Sequence, residues 1–119
     1  MFDDRSPIYR QIAEQIKEDV VRGVLADDAQ VMSTNQYAAS FRINPATAAK
    51  AFQELIDEGV LYKRRGVGMF VTPGARDALL AERRERFFED VVDPVVEQAA
   101  VLGISTADVV DRIERRGRR

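Results

Sequence analysis

A stripe of apolar residues near the start of the chain repeats at every fourth position, which is the period of one helical face. Its members are Ile8, Ile12, Ile16 and Val20. Ser6 and Pro7 come just before the stripe, and we predict that Ser6 caps this helix with Pro7 at its first position. Gly23 is expected to end it.

Two further helices are predicted from their capping residues. Ser33 and Gln36 match the capping box, so a short helix should begin at Ser33, after a loop that places Val31 in a short strand. Asn44 followed by Pro45 predicts the start of the next helix, which should run to Gly59. The expected buried residues of the two helices are Tyr37, Ala38, Phe41, Ala48, Ala51, Phe52, Leu55 and Ile56.

Two short β-favouring runs follow, at about 60–64 and 69–72, and Gly66-Val67-Gly68 separates them. This pattern predicts a hairpin with a tight turn. The alternative is a loop that binds a nucleotide phosphate. A P-loop, however, requires more residues between its glycines and a following helix, and a strand follows here.

The remaining residues predict helices. A hinge is expected at Thr72-Pro73-Gly74-Ala75, then a long helix over about 75–101 that Pro94 kinks, and a last helix capped by Ser105. The basic tail, residues 115–119, is expected to be frayed.

The apolar face of this C-terminal segment is too wide for a single chain to cover, and an uncovered patch of that size is unusual on a monomer. We therefore expect a second copy of the chain to cover it, as a homodimer. A small-molecule effector is possible between these helices, but no site for one is evident. The expected interface residues are Phe87, Phe88, Val91, Val92, Val95, Val96, Ala99, Val109 and Ile113.

The composition excludes several functions. The chain has no Cys and no His, which removes disulfides, Ser-His triads and zinc sites built on those residues, so neither an enzyme nor a metal or cofactor site is expected. No apolar run approaches the length of about 20 residues that is needed to span a membrane, and no signal peptide is recognised. A cytoplasmic protein is therefore expected. The net charge is −2, but residues 31–72 alone carry five cations and three acids, a balance of +2.

The order helix, short helix, helix, hairpin predicts a mainly α fold with a small β-hairpin wing. This is a winged helix-turn-helix domain over residues 1–72, followed by a helical dimerisation segment over 73–119. In such a domain the third helix enters the major groove of DNA with its N-terminal residues at the base edges. Lys63, Arg64 and Arg65 would make the wing attractive to phosphates or to a narrow minor groove.

Two stretches carry a family resemblance. They read SPIYRQIAEQIKEDVVRGVL and INPATAAKAFQELIDEGVLYKRRGVGMFV. Over about residues 6–72 the chain resembles the GntR family of bacterial transcription regulators, and its short two-helix extension resembles the YtrA-like branch. The resemblance implies a DNA-binding regulator, and the branch suggests control of a neighbouring transporter operon.

The resemblance also implies the DNA-binding residues. Thr47 matches a threonine of the family, Lys50 a frequently basic position, and Arg65 with Gly66 the part of the wing that reaches the minor groove. The family usually has arginine where this chain has Asn35 and often where it has Ala49, so the wing is expected to carry a larger share of the affinity. The complete candidate set is Ser33, Asn35, Asn44, Pro45, Ala46, Thr47, Lys50, Lys63, Arg64, Arg65 and Gly66.

The sequence therefore predicts a homodimeric regulator that binds double-stranded DNA at a palindromic operator, and a repressor is favoured over an activator. The alternative is a winged helix used as a protein-interaction module without DNA specificity, in which the basic wing would meet an acidic protein surface.

Overall fold

A computed structural model of the chain describes residues 2–118, which divide into two units, one ending at Leu80 and the other beginning at Ala81. The elements are α1 (Ile8–Val21), α2 (Thr34–Phe41), α3 (Pro45–Asp57), β1 (Leu61–Arg64), β2 (Gly68–Val71), α4 (Ala75–Phe87), a π-helical turn (Phe88–Val92), α5 (Asp93–Leu102) and α6 (Thr106–Gly117). The order confirms the predicted mainly α fold with a β-hairpin wing.

The core of the first unit lies where α1 and α2 pack on α3. Ile12, Ala48, Ala51 and Leu55 are fully buried there, and the small alanines allow the helix backbones to approach closely. The ring of Tyr37 meets Phe52 edge to face, with the ring centroids 5.6 Å apart. Burial, together with the nearby negative charge of Asp19, raises the pKa of the Tyr37 phenol.

The caps of α2 and α3 form as predicted. The Ser33 hydroxyl accepts from the Gln36 backbone N–H, and the Gln36 side chain accepts from the Ser33 N–H in return. The Asn44 side chain accepts from the Ala46 N–H at 2.7 Å, with Pro45 at the first helical position. Both signals are local in sequence, which explains why they were predictable.

The predicted cap of α1 is wrong. The helix begins at Ile8 with Pro7 in the capping position, and no side chain caps it. Gln11 instead holds the segment before the helix, because its side-chain amide donates to the backbone carbonyls of Asp3 and Ser6, each at 2.8 Å. Ser6 therefore contributes its carbonyl rather than its hydroxyl.

The two strands form an antiparallel hairpin in which Leu61 pairs with Val71 and Arg64 with Gly68. Each strand lies within one residue of its predicted bounds. The predicted strand around Val31 is an isolated bridge between Gln30 and Phe70, with the Val31 N–H donating to the Met69 carbonyl at 3.0 Å. The loop before α2 thus follows the outer edge of β2.

The first unit extends eight residues beyond Thr72. Ala75 and Leu79, on the first part of α4, are buried in its core. The side chain of Arg76 also donates to the Val21 carbonyl at the end of α1, at 2.9 Å. The residues predicted to form a hinge therefore lie inside this unit, whereas the boundary of the independently folding DNA-binding domain stays a prediction.

The long helix predicted for residues 75–101 is divided by a π-helical turn into α4 and α5. A π-helical turn precedes Pro94, with the Asp93 N–H donating to the Phe88 carbonyl five residues back. Proline has no N–H to continue the α-helical bonding pattern, so the helix must change its pattern nearby.

The last helix begins as predicted, because the Ser105 hydroxyl accepts from the Asp108 N–H at 3.1 Å. The prediction of a frayed tail is wrong for Arg115 and Arg116, since α6 continues to Gly117 and Arg115 pairs with Asp111 at 3.0 Å. Arg119 lies outside the described residues.

Leu79→Ala tests the extent of the first unit. We expect it to lower the free energy of unfolding by about 2–5 kcal/mol, because it leaves a cavity in a packed core. Leu80→Ala is the matched control and should cost less, since Leu80 is only partly buried. Urea unfolding of both variants measures the difference, and equal losses would contradict the assignment of Leu79 to this core.

Candidate nucleic-acid interface

The start of α3 is open to a ligand. Ala46 and Lys50 are exposed and Thr47 is partly buried, while Ala48 and Ala51 on the opposite face are in the core. The small side chains of the first turn let another molecule approach the backbone closely. The cap occupies the side-chain oxygen of Asn44 but leaves its amide N–H groups for a ligand.

Lys50 has a partner that the sequence did not reveal. Its ammonium nitrogen lies 4.2 Å from the centre of the Tyr9 ring, within the range of a cation–π interaction. The Arg10 side chain donates to the Tyr9 hydroxyl at 3.3 Å, and this bond raises the pKa of the Arg10 guanidinium. A tyrosine of α1 thus places a second cation beside the outward face of α3.

The start of α2 is the second exposed part of the site. Ser33 and Asn35 are both exposed, as a phosphate contact requires. The Ser33 hydroxyl oxygen accepts one hydrogen bond in the capping box, and its O–H remains to donate to a ligand such as a phosphate. Asn35 is neutral and can contribute hydrogen bonds but no charge.

The wing presents three consecutive exposed cations, Lys63, Arg64 and Arg65. The chain turns back just after them, where the Val67 N–H donates to the Arg64 carbonyl at 2.9 Å. Gly66 has a φ of 75°, a conformation that glycine adopts without strain. The Arg64 guanidinium lies 5.5 Å from the centre of the Phe70 ring, which limits its freedom. The wing therefore presents concentrated positive charge on a fixed turn.

A tyrosine and an aspartate fix the side of the wing. The Tyr62 hydroxyl donates to the Asp28 carboxylate at 2.6 Å, and its ring stacks on Phe70 at 5.6 Å. The hydrogen bond to the carboxylate raises the pKa of the Tyr62 phenol. Asp28 has a φ of 62°, a conformation that Asp and Asn tolerate better than most residues.

The predicted DNA-binding residues all belong to the first unit, at the starts of α2 and α3 and on the wing. Sequence reasoning missed Tyr9, Asp28 and Gln30, which hold these groups. Each acts on a residue more than 30 positions away in the chain, so no local pattern identifies them.

Most predicted interface residues in the second unit are exposed apolar side chains. Val92 and Val109 are partly buried, and Ala99 is already buried within the single chain. The exposed ones, with their exposed fractions, are Phe87 (47%), Phe88 (65%), Val91 (49%), Val95 (43%), Val96 (52%) and Ile113 (61%).

Within residues 2–118, no group of acidic side chains is arranged to hold a metal ion. In the same part of the chain, no helix combines the length and apolar character that crossing a membrane requires.

The comparison with protein families decides the family. The model of the bacterial regulatory proteins of the gntR family matches residues 8–71, which is more than half of the chain. The chain belongs to the GntR family. It is a YtrA-like member, since it is 30% identical to the HTH-type transcriptional repressor YtrA of Bacillus subtilis over 81% of its own length and 75% of that protein.

A longer relative matches as well. The chain is 31% identical to the HTH-type transcriptional repressor NagR of Bacillus subtilis over 92% of its length, but it spans only 51% of that protein. The family and its named members indicate a DNA-binding regulator of transcription and not an enzyme.

Solved structures agree with this fold. A transcriptional regulator from Oenococcus oeni superimposes with a TM-score of 0.82 and 25% identity, over 97% of this chain and 94% of that one. The AraR DNA-binding domain, solved in complex with operator ORX1, matches 60% of this chain and 93% of its own length, with a TM-score of 0.56 and 27% identity. The predicted winged helix-turn-helix fold and GntR membership are thus confirmed.

The bond between Tyr62 and Asp28 predicts a specific titration. Because the folded pKa of Tyr62 is raised above the unfolded value of about 10, the bond stabilises the fold below that pH and is lost as the pH rises through the folded pKa. Asp28→Asn removes the charge and tolerates the backbone conformation. We expect it to bring the Tyr62 pKa back towards the ordinary value.

Phenolate absorbance during a pH titration measures this shift. Tyr62→Phe identifies which of the tyrosine transitions belongs to Tyr62. An unchanged Tyr62 transition in Asp28→Asn would rule out the carboxylate as the cause.

Proposed function

We propose that the protein is a homodimeric transcriptional repressor that binds a palindromic operator in double-stranded DNA. The observation that carries the proposal is the pairing, within one unit, of an exposed α3 start with a wing of three consecutive exposed cations. The operator-bound structure of the AraR domain supports DNA as the ligand of this arrangement. We therefore propose that the protein acts in the cytoplasm, where bacterial chromosomal DNA lies.

In this proposal α3 enters the major groove. Its first turn carries Ala46 and Thr47, whose small side chains fit against base edges, and Thr47 can contact a phosphate or a thymine methyl group. Lys50, one turn further on, reaches a phosphate or a guanine. The exposed polar groups of Ser33, Asn35 and Asn44 form hydrogen bonds with the phosphate backbone of the DNA at the edges of the groove.

The wing supplies the second part of the interface. Arg65 and Gly66 lie at its turn, where the absence of a side chain on Gly66 lets the backbone approach a narrow groove. Lys63 and Arg64 neutralise phosphates. Since Asn35 and Ala49 carry no charge, these wing cations provide much of the electrostatic attraction to DNA.

The second unit joins two copies of the chain. Its exposed phenylalanines and valines form an apolar surface that a symmetric partner would cover, with α6 contributing Val109 and Ile113. Two-fold symmetry then requires two half-sites in inverted repeat, with centres one or two helical turns apart.

The repressor assignment is supported by the relatives, because NagR and YtrA are both named as transcriptional repressors. A repressor of this kind occludes a promoter when its operator overlaps it. By the resemblance to the YtrA-like branch, the regulated genes are those of a neighbouring transporter operon. Reporter expression in cells with and without the protein tests the direction of control, and activation would contradict it.

Variants of α3 and the wing test the DNA contacts. With a duplex selected by the wild-type protein from a random-sequence pool, we expect Thr47→Ala to weaken binding about tenfold. Arg65→Ala should also weaken binding. The slope of the logarithm of the binding constant against the logarithm of the salt concentration should become shallower by about one unit, because one phosphate is no longer neutralised. Gel-shift titration over a range of salt concentrations gives both values.

Arg22→Ala is the matched control, since it removes one exposed cation from the same unit but lies at the end of α1. Its affinity and salt dependence should remain those of the wild type. Unchanged binding by Thr47→Ala and Arg65→Ala would count against both contacts. Failure of the wild-type protein to retain any duplex at low salt would favour a protein-interaction module instead.

A charge in the apolar surface tests the dimer. Phe88→Asp places a carboxylate where a partner would exclude water, so the variant should sediment as a monomer and bind the palindrome on the order of a hundredfold more weakly. Val24→Asp is the control, because Val24 is 71% exposed in the first unit. A wild-type monomer, or a dimer of Phe88→Asp, would refute the interface.

A further inference from the structure

The loop before α2 is bonded to the outer edge of the wing. The Asp28 N–H donates to the Val71 carbonyl at 2.8 Å, and the Val71 N–H donates in turn to the Ala29 carbonyl at 2.9 Å. With the bond from Val31 to Met69, these contacts give β2 a backbone partner on its free side. The loop thus pairs with the outer edge of the hairpin through backbone bonds without forming a strand of its own.

From this loop Gln30 reaches the tip of the wing. Its side-chain amide donates to the carbonyl of Val67 at 3.1 Å, although the two residues lie 37 positions apart. Val67 stands between the two glycines of the turn, two residues after Arg65, the last residue of the cationic run. The contact therefore fixes the peptide group between Val67 and Gly68, at the end of the turn that carries Arg65 and Gly66.

The glycine at position 68 independently marks the same contact. A Cβ atom built on Gly68 would lie 2.6 Å from the amide nitrogen of Gln30, closer than non-bonded atoms approach. Gly68 also has a φ of 147°. The space beside its α-carbon is thus occupied by the Gln30 side chain, which crosses the strand to reach the turn.

We propose that Gln30 is a positioning residue for DNA binding, which holds the wing tip in the geometry that Arg65 needs to reach the duplex. The inference rests on the proposed wing contact and adds a residue that itself need not touch DNA. A tip held before binding does not have to be ordered during binding, so its affinity is higher. Losing one such hydrogen bond should weaken binding about two- to tenfold.

A double-mutant cycle tests this role. Gln30→Met keeps the length of the side chain and removes the donor, and Gln15→Met is the control on an exposed glutamine of α1. Each variant is titrated against the selected duplex, alone and combined with Arg65→Ala. We expect Gln30→Met to weaken binding two- to tenfold by itself, to have little effect in the Arg65→Ala background, and to leave the thermal unfolding midpoint unchanged.

The outcomes separate the two proposals. If Arg65→Ala weakens binding but Gln30→Met equals the wild type, the role of Gln30 is overturned and the wing contact stands. If the loss from Gln30→Met persists in full with Arg65→Ala, Gln30 acts by a direct contact or elsewhere, and positioning is overturned. If Arg65→Ala changes nothing, the wing contact fails, and the inference fails with it.

A second variant approaches the same contact from the other side. Gly68→Ala should displace the Gln30 side chain, because its methyl group takes the same space. In a Gln30→Ala background the displaced side chain is absent and only the strain of the backbone φ remains, so the added loss of affinity should be smaller than in the wild type. Equal losses in both backgrounds would show that the two residues act independently.

Discussion

The close packing of α1 on α3 determines which side of α3 is left for a ligand. Ala48 and Ala51 are fully buried at this contact, and a larger side chain at either position would push the helices apart. Because an α-helix turns by a fixed angle per residue, burying these two alanines leaves Ala46 and Lys50 outward. The same packing brings Tyr9 of α1 over Lys50 of α3. The core and the candidate interface are thus opposite sides of one helix, set by the same contact.

The wing depends on a different kind of constraint. A two-stranded hairpin of four-residue strands has little stability of its own. Here it gains backbone bonds from the loop before α2, a stacked pair of rings and a tyrosine–carboxylate bond. Repulsion among three adjacent cations works against a compact turn, and this scaffold offsets it. The positive charge that we propose attracts DNA can be concentrated because the chain around it is held.

Sequence patterns predicted the elements of this fold well where the determining residues are neighbours. The capping box of α2 and the Asn44-Pro45 start of α3 need only residues within one helical turn, and both formed. The prediction that Ser6 caps α1 was wrong. The Gln11 side chain bonds to the backbone carbonyl of Ser6, and the Ser6 hydroxyl does not cap the helix. The change to a π-helical turn before Pro94 was not predicted either, since a proline signals a disturbance without specifying its geometry.

The candidate site was predictable in its charged and glycine residues and not in the residues that hold them. Lys63, Arg64 and Arg65 stand together in the sequence, so their exposure on a turn follows from the hairpin. Nothing in the sequence joins Gln30 to Val67 or Asp28 to Tyr62, because these pairs meet only when the loop lies along β2. Family resemblance identifies positions that touch a ligand, and it passes over such supporting residues.

The contact between Gln30 and Gly68 also restricts how this sequence can vary. A side chain at position 68 is compatible with the fold only if position 30 becomes smaller, and a short residue at position 30 removes the reason for glycine at position 68 apart from its φ. Position 30 can therefore become smaller while glycine is kept at position 68, whose φ favours glycine in any case. In an alignment of proteins with this loop and wing, a side chain at position 68 should occur only beside a smaller residue at position 30.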